Sequence, residues 1–447
     1  MEDDLVSEDD ILLCSEKEFH DAARRNDTGK MQELIKKGVN VKAKNKIDRK
    51  ALHWAAGAGS ERALRMLLEH DTEVNERDSF GMTALLLASW FGHLKVLQIL
   101  VSCGAKLNSE NKDGLSMLHC AAQRGHIKVL EFIMEDLEDI RLDRVDKSGK
   151  TALHLAAEHG QFEVVEFLIG MGCTHGLKDK EENTAMHLAA RSGHTHILQK
   201  MVEMGVDVDE RNKEGLTALH LASDGAHCEC VRLLLEAGCE ANALTNKNMT
   251  ALHYAAQHGF DREASLLLEA GTHRDAVDSQ HNTALHLAVF HHHAEVLRLL
   301  IGADCDLDLA DRRQQTALHI AAEHGWQDLA EMMLISGVDL NLTDKASAAP
   351  DPKANSASPA KGAEAGPLAA SSARVDETAI LQAIQSLGED LLKKIDDNAE
   401  MQSKELRREI SQLRDELRYI KKLPANWRLC CAKYIQRHSS RVHCPTH

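Results

Sequence analysis

One four-residue phrase, Thr-Ala-Leu-His or a near variant, returns along this chain about every 33 residues, and no other feature restricts the fold as much. The phrase places histidines at His53, His119, His154, His187, His220, His253, His286 and His319, with Leu86 in the one vacant slot. One step is 35 residues, between His119 and His154, and His20 in Phe19-His20-Asp21-Ala22-Ala23 extends the series backward, making ten units. A period in this range marks modules that cannot bury their apolar face alone and must stack. Gly59, Gly92, Gly125, Gly160, Gly193, Gly259 and Gly325 each follow the phrase at a fixed distance, where a left-handed residue closes a helix without a Cβ penalty. An amphipathic run such as Phe162-Glu163-Val164-Val165-Glu166-Phe167-Leu168 supplies a second helix, ended by Gly38, Gly104, Gly172, Gly205, Gly238, Gly271 and Gly337. The chain then turns through a hairpin tip, as in Asp78-Ser79-Phe80-Gly81, before the next threonine caps the following helix. The fold class expected is all-α.

Composition narrows the functions. Hydrophobic residues make up 43% of the 447 and aromatics only 3%, which suits closely packed Leu/Ala helices better than a sheet sandwich. A formal net charge of −17 argues against nucleic acid as the partner of the array, because phosphate affinity comes from clustered Lys and Arg. The run Met1 to Asp10 holds six carboxylates and no basic residue, unlike a secretory signal, and no apolar stretch reaches membrane-spanning length. The eleven cysteines form no paired CxxC pattern and read as reduced thiols. A cytoplasmic location is the expectation.

In period, tetrad and both glycines the chain resembles the ankyrin repeat, from about residue 16 to residue 345. The resemblance implies an ankyrin-repeat solenoid of about ten helix-turn-helix units with hairpin tips. One departure runs throughout: alanine replaces the proline of the family tetrad, and no proline occurs before Pro350. More narrowly, Ala51-Leu52-His53-Trp54-Ala55-Ala56-Gly57-Ala58-Gly59, Ser89-Trp90-Phe91-Gly92-His93 and Phe132-Ile133-Met134-Glu135-Asp136-Leu137-Glu138-Asp139 are similar to the ankyrin repeat and death domain-containing proteins. The segment after residue 345 is too short and wrongly patterned for a death domain.

The domain boundaries expected are an acidic tail over 1–15, the array over 16–345, a linker over 346–374, a coiled-coil helix over 375–423 and a basic tail over 424–447. The array stops in mid-unit at Ala349-Pro350-Asp351-Pro352 without a polar cap, so Leu329, Met332 and Met333 are expected to be partly exposed. The linker is rich in Ala, Ser, Pro and Gly and is expected to be disordered. Leu406, Ile410, Leu413, Leu417 and Ile420 alternate steps of four and three, as a coiled-coil seam does; this favours homodimerisation over a helix folded back on the repeats. Beyond Glu416 there is no acidic residue, while Arg418, Lys421, Lys422, Arg428 and Lys433 gather near Trp427 and the Cys430-Cys431 pair. Such a tail suits weak contact with an anionic membrane, which makes a membrane-tethering protein the alternative reading.

Twenty-seven histidines raise the question of metal or catalytic chemistry. Tetrad histidines on successive stacked units sit about 8–10 Å apart, whereas zinc needs its nitrogens at roughly 2.0–2.1 Å from itself. Each is expected to brace its own hairpin. His291-His292-His293 is a surface turn, with His292 where the helix-ending glycine belongs. Ser148-Gly149-Lys150-Thr151 imitates a phosphate loop, but Arg144 occupies the place of its first glycine. No catalytic residue, metal site or cofactor is expected, and the chain reads as non-enzymatic. The resemblance implies partner binding on the concave face lined by hairpin tips and first helices. The residues expected there are Phe80, Met82, Trp90, Phe91, Gln123, Arg124, Glu158 and Arg191, with the rings as a hot spot. The expected function is a protein-protein interaction scaffold or signalling adaptor, its partner a protein of unspecified identity.

Overall fold

The computed structural model describes residues 13–338, apart from 71 and 139. The acidic run before residue 13, the linker, the coiled-coil segment and the basic tail all lie outside the described residues. Helices follow one another in short pairs. They are α1 (Cys14–Arg24) and α2 (Thr28–Lys36), α3 (Ala51–Gly57) and α4 (Glu61–Glu69), α5 (Ala84–Trp90) and α6 (Leu94–Ser102), then α7 (Met117–Arg124) and α8 (Ile127–Glu135). The series continues with α9 (Ala152–Glu158) and α10 (Phe162–Gly170), α11 (Ala185–Arg191) and α12 (Thr195–Glu203), and α13 (Ala218–Asp224) and α14 (Cys228–Glu236). It ends with α15 (Ala251–His258) and α16 (Asp261–Glu269), α17 (Ala284–Phe290) and α18 (Ala294–Gly302), and α19 (Ala317–His324) and α20 (Gln327–Ile335). Among the described residues there is no strand, only an isolated bridge between Ala310 and Thr316.

The chain divides into two compact units, one holding residues up to 255 together with 262–273, the other 256–261 together with 274 onward. Within the first, α1, α3, α5, α7, α9, α11 and α13 pack in succession, and α2, α4, α6, α8, α10, α12 and α14 form a second row behind them. Within the second, α17 packs on α19 and α18 on α20. Small residues make this possible: Ala55, Ala56, Ala121, Ala122, Ala156, Ala157, Ala189 and Ala190 have no exposed surface, so the first helices approach closely. The second helices contribute larger groups, such as Leu64, Leu67, Leu97 and Leu100. Each such leucine, fully buried, stabilises the stack by about 1.5–3 kcal/mol relative to exposure.

Every tip is closed by one polar residue. Asp78 Oδ1 accepts the N–H of Phe80 at 2.9 Å and of Met82 at 2.8 Å, and Asn45, Asn111, Asp146, Asp179, Asn212, Thr245, Asp278 and Asp311 repeat the pattern. Tips also pair through their backbones, Lys112 N–H donating to Phe80 O and Lys147 N–H to Asp113 O, both at 2.9 Å. Gly149 is the left-handed residue of such a tip, so Ser148-Gly149-Lys150-Thr151 is a hairpin and not a phosphate loop.

One unit is irregular, and another differs from expectation. In the 35-residue unit α8 ends at Glu135 with Asp136 as its cap, and no left-handed glycine follows the cap as Gly172, Gly205 and Gly238 do after α10, α12 and α14; the extra residues come next. In the last unit Leu329 and Met333 are fully buried and Met332 half-buried; they face the preceding helices, and exposure falls instead on Leu334 and Ile335.

The first helix must end in a left-handed residue even where glycine is missing: Asn26, Ala226 and His292 hold φ of 58°, 60° and 60° at that position. A Cβ-bearing residue held there costs roughly 1–2 kcal/mol, so Ala226→Gly should raise stability by about 1 kcal/mol, read as a higher urea midpoint. Gly193→Ala should lower the midpoint sharply, because the new Cβ would stand 2.5 Å from His227 Nδ1.

Candidate protein-binding surface

The tetrad histidine occupies the third position of its helix, where it meets the capping residue. The Thr151 N–H donates to His154 Nδ1 at 3.1 Å, and the Thr151 hydroxyl lies 2.8 Å from the same nitrogen. Since Nδ1 accepts, Nε2 carries the hydrogen, and it donates to Asn183 O at 3.1 Å on the next tip. The same arrangement ties His53 to Glu76 O, His119 to Lys150 O, His187 to Leu216 O, His220 to Met249 O and His286 to Gln315 O. Each histidine thus caps its own helix and clamps the neighbouring hairpin.

A second row of histidines, which the tetrad pattern does not reveal, stands just after the left-handed residue. His93 donates to Gly57 O, His126 to Trp90 O, His194 to Glu158 O, His227 to Arg191 O and His293 to Gln257 O, all within 2.9–3.1 Å. Their constant distance of 36 residues from the accepting carbonyl is the signal that would have found them. These rings also fill the space beside the glycines, which is why a Cβ at Gly59, Gly92 or Gly193 would collide with imidazole.

Both rows are structural, and they leave the residues between them free to vary. Trp90 closes α5 half-buried, with the Arg124 guanidinium 5.2 Å from its ring centroid. A cation over an indole face contributes about 0.5–1 kcal/mol and holds the arginine in place. Phe91 is 47% exposed, rests its ring where Gly57 offers no side chain, and stacks on His93 at 6.4 Å. Gln123 reaches His159 at 3.0 Å, and Glu158 pairs with Lys150 at 2.6 Å. Arg191 is exposed on the end of α11. These residues share the ends of consecutive first helices.

Two tip residues behave otherwise. Phe80 is 50% exposed, and among the described residues no ring contact joins it to Trp90 or Phe91. Met82 is buried: Asp78 binds its N–H and its carbonyl accepts from Asp78 N–H, which turns the side chain beneath the tip. It adds core and not contact surface.

Among the described residues no three His, Cys, Asp or Glu side chains gather as a metal ion would require, and no helix is long and apolar enough to cross a membrane. Burial raises the thiols of Cys120, Cys173, Cys239 and Cys305 to about 12, so these cysteines are poor nucleophiles.

Burial also pushes down seven of these bracing histidines, His220 to about 4 and His20, His53, His119, His154, His187 and His286 below the usual value. Protonation would place a proton on Nδ1, facing the N–H donor of the capping residue. The unfolded chain therefore takes up protons first as pH falls below about 6.5, and each unit of lowering costs about 1.4 kcal/mol of stability once the pH lies below the folded value. The urea midpoint should hold steady above pH 6.5 and drop steeply from there toward pH 4. His154→Leu, which copies the natural occupant Leu86, should be less stable at neutral pH and show a shallower acid dependence.

A family model for ankyrin repeats in three copies matches residues 19–111, 103–179, 171–245, 227–311 and 253–344. Those segments cover most of the chain and coincide with the paired helices and tips described above. The chain belongs to the ankyrin-repeat family.

Proposed function

We propose that this chain is a non-enzymatic scaffold or signalling adaptor that receives a partner protein on the concave side of its repeats, with Trp90 and Phe91 as the anchor. Ankyrin repeats generally mediate protein-protein interaction. The observation that carries the site is chemical: Trp90 ends its first helix where the other units of the first compact unit carry Arg24, Gly57, Gln123, Glu158, Arg191 and Asp224, and a second ring, Phe91, follows it. Neither the tetrad histidines nor the second row needs a ring there. Phe91 offers exposed apolar area, and Arg124, held over Trp90, adds a donor fork for a carboxylate or carbonyl. Aromatic and arginine side chains in this arrangement are the usual anchors of interfaces. Gln123, Glu158 and Arg191 supply a polar rim, while Phe80 belongs to the tip beside it. Homodimerisation through the segment over 375–423 would double the display.

Proximity labelling in cells with the full chain identifies partners, and each is then tested with Trp90→Ala/Phe91→Ala. A hot spot of about 2 kcal/mol implies roughly a thirtyfold loss of affinity. Val145→Ala, at another exposed apolar position, should change nothing. Undiminished affinity of every partner for the double variant would remove the anchor.

A further inference from the structure

The first hairpin tip differs in charge from every later one. Residues 40–50 carry Lys42, Lys44, Lys46, Arg49 and Lys50 against Asp48 alone. At the equivalent places, residues 141–151 carry four bases and two acids, and the remaining seven tips have no excess of bases. The excess does not serve the fold. Asn45 Oδ1 closes the tip by accepting the N–H of Ile47 and of Arg49, and His20 Nε2 clamps it at 3.2 Å from Ala43 O, so no lysine side chain takes part.

Neighbouring acids answer some of this charge. Lys50 Nζ lies 2.6 Å from the Glu76 carboxylate and Lys44 Nζ 3.4 Å from it, while Arg49 Nε reaches Asp78 at 3.0 Å. Asp48 accepts from the Ser79 hydroxyl at 2.9 Å. These carboxylates are fewer than the cations of the tip, and Lys42, Lys44 and Lys46 are exposed. The Arg49 guanidinium stands 5.5 Å from the Trp54 ring centroid, and that of Arg24, exposed at the end of α1, 5.8 Å, so the positive region continues from the tip onto α1 and α3. At about 0.15 M ionic strength charges are screened beyond roughly 8 Å, so a segment at the tip meets its local sign and not the −17 of the whole chain.

We propose that Lys42, Lys44 and Lys46 form a docking surface for the acidic run over 1–10 of this same chain, which lies outside the described residues. Glu2, Asp3, Asp4, Glu8, Asp9 and Asp10 supply six carboxylates with no basic residue among them, which complements the tip. The join is close. His53 stands third in α3, whereas His20 stands seventh in α1, so α1 carries four more residues on the tip side of its clamping histidine. At a rise of 1.5 Å per residue, Cys14 is about 9 Å along the helix from His20, which touches the tip. Twelve residues reach at most about 40 Å, so the run can meet these lysines. A segment tethered this near its site acts at an effective concentration of about a millimolar, which favours it over an acidic segment of another molecule. Once neutralised, the tip no longer draws an acidic partner, and the run thereby decides what reaches this end of the array.

The test uses the full chain throughout. One variant neutralises the run, Glu2→Gln/Asp3→Asn/Asp4→Asn/Glu8→Gln/Asp9→Asn/Asp10→Asn, and the probe is a fluorescein-labelled peptide of residues 1–12 read by fluorescence polarisation. The neutralised chain should bind the peptide about tenfold more tightly than the unaltered chain, in which the run holds the site, and salt raised from about 0.05 M to about 0.5 M should weaken that binding. Lys42→Glu/Lys44→Glu/Lys46→Glu, added to the neutralised chain, should abolish binding, and the milder Lys42→Gln/Lys44→Gln/Lys46→Gln should weaken it. Lys112→Glu/Lys147→Glu/Lys213→Glu, an equal change of charge on exposed lysines of later tips, should leave it unchanged. Trp90→Ala/Phe91→Ala should also leave it unchanged, which separates this surface from the one proposed above. Equal binding to the neutralised and unaltered chains would assign the tip to an acidic segment of another molecule and overturn the proposal. Absent binding to the neutralised chain, binding that survives the first-tip variants, or an equal loss in the later-tip variant would overturn it as well.

Discussion

The hydrogen bond from the tetrad histidine to the carbonyl of the next hairpin is the interaction on which the rest of the molecule depends. It requires a neutral ring with its hydrogen on Nε2, and the capping threonine enforces that tautomer by presenting its own N–H to Nδ1. One imidazole therefore satisfies a helix terminus within its unit and joins that unit to its neighbour. A hydroxyl or a leucine in the same slot performs at most half of this. The bond is also buried, so its strength and its sensitivity to protonation have the same origin, the removal of water from the ring.

A second constraint sits six residues on. Turning the chain back after a short first helix needs a left-handed residue, and the space beside it is filled by an imidazole that reaches back to the previous unit. Glycine answers both demands at once. Where Asn26, Ala226 or His292 stands instead, the backbone keeps the left-handed conformation, which shows that the packing of the helices dictates the turn and overrides local preference.

Repetition separates structure from recognition. Residues that recur at the period hold the stack together, and residues that break it at exposed positions are not needed for that. Trp90 and Phe91 break it at the end of α5. The Arg124 guanidinium is held over the Trp90 ring.

The amino-acid sequence by itself determined the unit, its two helices, its caps and its number of copies, because these rest on interactions between residues a few positions apart that recur in nearly every unit. It also marked Trp90 and Phe91 as departures from the repeat. Tertiary structure alone decided which apolar residues face outward: Phe80 lies on the tip and Met82 beneath it, though they stand two residues apart on one hairpin. Leu329 and Met333 are covered while Ile335 is bare, although all three belong to one helix, because only one side of α20 meets α18 and α19. The second histidine row was hidden for a similar reason. Its partners are carbonyls in the preceding unit, and a backbone acceptor leaves no trace in the side chains from which a sequence is read.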